Sequence, residues 1–69
     1  MYEISEKFHE KYYDAMYDRL VKLTLKDGSV RTGLFNDEFY EDASILVGCE
    51  VIKIVDVEKM ELPEDGANG

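Results

Sequence analysis

The chain contains a single histidine, His9, and a single cysteine, Cys49. A cysteine nucleophile works only with a base in hydrogen-bond reach, usually oriented by a third group. His9 follows Phe8 in a run with helical spacing and is expected to face water, so the two residues are not read as a catalytic pair. One Cys and one His also fall short of the donor set that zinc requires. Lys26-Asp27-Gly28-Ser29 has the character of a hairpin turn, not of a loop that cradles phosphate. Asp37, Glu38, Glu41 and Asp42 bring carboxylates together, the oxygen donors that Ca²⁺ or Mg²⁺ prefers. They lack the central glycine and terminal glutamate of a calcium loop, and a solvated acidic loop is the expectation. No catalytic, metal or cofactor site is assigned, and a non-enzymatic protein is expected.

Other residues are better suited to binding. Phe39 and Tyr40 stand inside the acidic stretch. Both can pack into a core; alternatively one turns outward to stack a base or anchor a protein partner. Val51 and Val55 flank Lys53 in an apolar run whose inward residues are expected to be Ile52 and Ile54. A solvated outer face rarely carries such a pair of valines. Either the chain's own helix covers them or another subunit does.

Charge narrows the choice of partner. The 69 residues hold 8 Lys+Arg against 16 Asp+Glu, a formal net charge of −8. The acids are spread along the chain and no basic stripe appears, which argues against DNA and against generic RNA affinity. No apolar run is long enough to cross a bilayer, and no membrane role is expected. The lone cysteine cannot form an internal disulfide and suits a reducing cytoplasm. A single small domain over residues 1–63 is expected, followed by a flexible acidic tail over 64–69.

The elements that must position these residues follow from periodicity. Residues 2–19 read as a helix, with Ile4, Phe8, Tyr12, Ala15 and Met16 on one stripe and Tyr13, Tyr17 and Leu20 beside it. Its wide apolar content fits either half-buried phenols or a second face that docks another protein. The barrel reading covers residues 20–63. Val21, Leu23 and Leu25 alternate with polar residues as a half-buried strand, and Asp27-Gly28 signals a hairpin. Ser29–Phe35 returns as a second strand, with Gly33 at an expected bend. Asn36–Ala43 reads as a polar loop, and Ser44–Val47 and Glu50–Val55 as strands joined at Gly48-Cys49. A tight turn at Asp56–Glu58 then leads to a short strand around Met60 and Leu62 that Pro63 stops. The class is mainly β with one N-terminal helix, in the order α-β-β-β-β-β, folded as a small bent barrel.

Residues 21–33, from Val21 through Asp27-Gly28 to Gly33, resemble the first motif of Sm-like proteins: an alternating strand, a glycine turn, and a second glycine in a bent second strand. Helix first and then five strands is also the order of that family. Other SH3-like barrels share the hairpin signature. The likeness covers roughly residues 5–62 in architecture and is specific over 21–33. It implies two properties. The first is a uridine-type base site, in which Asp37 is the counterpart of the family's loop aspartate beside an aromatic residue, Phe39 or Tyr40, with Arg31 nearby. The second is assembly, since in Sm-like rings the fourth and fifth strands of neighbouring subunits pair; Val51, Lys53 and Val55 are then the assembly edge. The family's loop asparagine is replaced around Asp42 or Ser44, and Val55-Asp56-Val57 stands where its second, basic motif belongs. A protein-binding, self-associating module is therefore the first expectation, and recognition of single-stranded RNA the alternative.

Overall fold

The helical spacing of the N-terminal segment produces α1 (Tyr2–Met16) in the computed structural model, which describes residues 2–63. The acidic stretch 64–69, expected to be a flexible tail, lies outside the described residues. Ser5 and Phe8 are buried along α1 and Tyr12 and Met16 pack onto the core, whereas Ile4 and Ala15, expected on that stripe, are exposed. The helix ends at Met16 rather than residue 19 because Asp18 takes a φ of 64°, in the left-handed region that aspartate tolerates better than most residues. Asp18 N–H donates to Phe35 O at 2.8 Å, and Phe35 N–H donates back to Arg19 O at 3.0 Å. The chain thus enters the sheet already paired.

Five strands follow: β1 (Leu20–Leu25), β2 (Val30–Phe39), β3 (Ser44–Val47), β4 (Glu50–Lys53) and β5 (Val57–Glu61). They form one antiparallel sheet in the order β4-β3-β2-β1-β5. The expected class, one helix and then a mainly β domain, is what the molecule has. The order leaves β4 and β5 as the sheet's edges.

β2 organises the bend. Residues 30–34 pair with β1 and residues 35–39 pair with β3, so one strand serves both arms of the sheet. Gly33 lies between them. A Cβ there would sit 3.1 Å from Gly48 N and 3.2 Å from Val47 Cγ1, so glycine is what lets the arms close on each other. A bulge at Asn36, between Phe35 and Asp37, completes the change of partner.

The β1–β2 hairpin is held by Leu25 N–H donating to Ser29 O at 2.8 Å and Gly28 N–H donating to Leu25 O at 2.9 Å. Gly28 takes a φ of 93°, which its position in this three-residue loop requires. Asp27 Oδ1 accepts both the Ser29 N–H at 2.9 Å and the Ser29 hydroxyl at 2.6 Å. Those two bonds, the hydroxyl's first, hold the Asp27 carboxyl below its ordinary value of 3.8.

Two expected boundaries move. The polar loop shrinks to Tyr40–Ala43, because β2 runs on through Asp37, Glu38 and Phe39. The fourth strand stops at Lys53, and Ile54–Asp56 form a 3-10 turn where a continuous strand through Val55 was expected. Both ends of that turn are anchored: Ile54 N–H donates to Ala43 O at 2.9 Å, and Lys26 N–H donates to Asp56 O at 2.8 Å. β5 accordingly starts at Val57 and ends before Leu62.

The core is filled by Phe8 from the helix, Val21 and Leu23 from β1, Phe35, Ile45 and Val47 from β2 and β3, and Ile52 and Met60 from the edge strands. Each fully buried aliphatic or aromatic side chain contributes about 1.5–3 kcal/mol, and Phe8 is the one α1 supplies to this buried cluster. Among the described residues no helix is long and apolar enough to cross a membrane.

Candidate functional site

The two-residue turn Gly48-Cys49 makes Val47 and Glu50 opposite partners. Antiparallel pairing then alternates, so Ile45 and Ile52 exchange hydrogen bonds whereas Leu46–Val51 and Ser44–Lys53 do not. The bond from Ile54 N–H to Ala43 O continues the same alternation. It follows that the backbone N–H and C=O of Val51 and the N–H of Lys53 point away from β3, along the free edge of the sheet, while the Lys53 C=O starts the 3-10 turn. Side chains obey the complementary rule. Ile52 turns inward, while Val51 is 59% exposed opposite the half-buried Leu46. Val55 is 52% exposed but sits in the 3-10 turn, just beyond the strand. Lys53 is exposed at the strand's end. α1 packs against β2 and the 3-10 turn, and it leaves both valines bare.

The four residues expected in one binding loop are less well gathered. Arg31 stands near the start of β2, opposite Leu23, with Nε 3.3 Å from a Glu50 carboxylate oxygen and Nη1 donating to Val30 O at 3.2 Å. Asp37, Phe39 and Tyr40 lie past the bulge. Asp37 is exposed, and its Oδ1 accepts the Glu38 N–H at 2.8 Å. Phe39 is half-buried opposite Ser44. Tyr40 packs edge-on against Tyr2 at 6.0 Å and His9 at 5.9 Å, and its carbonyl accepts the Ser5 hydroxyl at 2.9 Å. Burial raises the Tyr40 phenol above its ordinary value, with the Glu38 carboxylate adding to the effect.

A different cluster forms where sequence reasoning placed solvent. His9 Nδ1 lies 2.7 Å from Glu38 Oε1 and donates to it; the Glu38 side chain is only 10% exposed, against 37% for His9. His9 stacks on Tyr13 at 4.2 Å and Tyr13 on Tyr17 at 4.4 Å, a ladder at helical spacing along the flank of α1. The Tyr17 hydroxyl donates to Asn36 O at 2.7 Å, and Asn36 Nδ2 donates to Gly48 O at 3.1 Å. Desolvation first, then Tyr13 and Asp37, pushes the Tyr17 phenol up and keeps it a donor. The bulge explains the surprise. One extra residue inverts the alternation of β2, turning Glu38 under the helix and Asp37 out to water. The i, i+4 spacing of His9, Tyr13 and Tyr17 was the signal that could have found it.

Chemically this cluster is a clamp between α1 and β2. His9 is engaged with Glu38 and Tyr13, while Cys49 lies exposed at the β3–β4 turn. Among the described residues no group of His, Cys, Asp and Glu is arranged to hold a metal ion. No family model matches the chain, and neither a curated protein nor a solved structure is found to match it. Its surfaces must speak for themselves.

Proposed function

We propose that the chain is a non-catalytic, cytoplasmic binding and assembly module of the Sm-like kind, which associates with copies of itself through the β4 edge. The observation that carries this reading is the edge itself: the outward N–H and C=O of Val51 and the N–H of Lys53, beside two exposed valines. Covering those valines removes apolar area from water at about 25 cal/mol per Å². Pairing the edge gives its N–H and C=O groups protein partners instead of water. Lys53 is the single charge that discourages indiscriminate pairing. β5 supplies the other edge of the sheet, so β4 of one copy can meet β5 of the next, head to tail, as in the rings the sequence resembles. RNA recognition is the weaker reading: Arg31 is paired with Glu50, Tyr40 is packed on Tyr2 and His9, and the chain carries a net charge of −8.

The test is a Val51→Glu, Val55→Lys double variant, compared with the parent by solution mass and circular dichroism. A lower mass with an unchanged spectrum is expected. An unchanged mass, or a cooperative loss of structure, contradicts the edge as the contact.

A further inference from the structure

A groove of about 290 Å³ runs between α1 and the corner where the 3-10 turn meets β5. Its apolar lining includes Phe8, Tyr12, Ile54 and Val57, and α1 adds Lys7 and Lys11. These lysines stand one helical turn apart, where like charges oppose helix formation. In a chain with 16 Asp+Glu, neither forms a salt bridge among the described residues. Lys11 Nζ lies 5.2 Å from the centre of the Tyr12 ring, which keeps its ammonium beside the groove. Across the groove Glu58 is the lone carboxylate among its lining residues.

We infer that this groove docks a short acidic segment of another protein, with one large apolar side chain on the floor and its carboxylates against Lys7 and Lys11. Size sets the first part: ligand pockets run from roughly 300 to 1,000 Å³, so this one holds a side chain rather than a helix. Charge sets the second. The net charge of −8 opposes acidic partners over the molecule at large, and the support is local: Lys7 and Lys11 outnumber Glu58 around an apolar floor. Glu58 fixes its orientation by keeping the carboxylates on the α1 side. The groove shares no residue with Val51, Lys53 or Val55, but Val57 and Glu58 in its wall belong to β5, the strand that the head-to-tail contact would also use.

Selection of a random ten-residue peptide display library on the full chain tests it. Enriched peptides should carry an aromatic or aliphatic residue next to Asp or Glu. A synthetic copy should bind a Lys7→Glu, Lys11→Glu variant about tenfold or more weakly, and a Lys7→Arg, Lys11→Arg variant nearly as well as the parent. Circular dichroism confirms that both exposed-site variants fold. Failure to enrich peptides, enrichment without acidic bias, undiminished binding to the glutamate variant, or displacement of the peptide by a uridine-rich oligonucleotide overturns the inference.

Discussion

Gly33 shows how a single missing side chain shapes this molecule. Its Cβ would meet backbone atoms of Gly48 at 3.1 and 3.2 Å, and backbone cannot swing aside as a flexible side chain can. Gly33→Ala should therefore cost about 1–3 kcal/mol in urea unfolding, and Gly33→Val more, as overpacking does. A loss within about 0.5 kcal/mol, ordinary for a surface change, would mean that the arms do not meet there. Asp27 acts at the same scale through charge. Its carboxyl is held below the ordinary value of 3.8 by Ser29, so its contribution is complete above that value and disappears as pH falls through the lower, folded-state value. Asp27→Ala should thus be less stable than the parent at neutral pH, with the gap closing in acid. A gap that is constant with pH contradicts the role given to the Ser29 bonds. Gly33 and the Asp27-Gly28 turn were legible in the sequence, because glycine in a strand and Asp-Gly between alternating runs have few other uses. The setting of His9 was not legible, because its partner Glu38 faces inward only after the bulge.

Among the elements, β1 is found where alternation placed it, and β3 spans the expected Ser44–Val47, a run that is buried except for the half-buried Leu46. β2 was read too short. Asn36-Asp37-Glu38 look like loop residues, yet Asn36 occupies the bulge, Asp37 points to water and Glu38 finds His9. The helix was read too long, since no Gly or Pro marks its end; Asp18 ends it by conformation. Likewise Val55 continues the apolar pattern of β4, but the bonds at Ile54 and Asp56 draw the chain into a turn. The His9–Glu38 contact ties α1 to β2, and cutting it leaves a nearly buried carboxyl without that donor. His9→Ala should destabilise by about 1–3 kcal/mol, whereas His9→Gln, which retains a donor, should recover part of the loss. Equal stability of the three proteins would show that the aromatic ladder holds α1 without the bond.

At the scale of the whole molecule, a small domain buries a modest core and leaves apolar surface outside it. Leu20 and Leu34, opposite partners across β1 and β2, are also exposed, as are Val30 and Leu62. Exposure alone does not single out the β4 edge. There it is combined with unpaired backbone, and a strand partner satisfies both at once. The sequence pointed to Val51 and Val55 through their outward parity, but the location of the free backbone groups required the register. Light scattering coupled to size exclusion, run on the full chain over a wide concentration range, tests self-association most directly. A mass of several chains that falls towards one chain on dilution is expected. A single-chain mass at the highest concentration reached would contradict it.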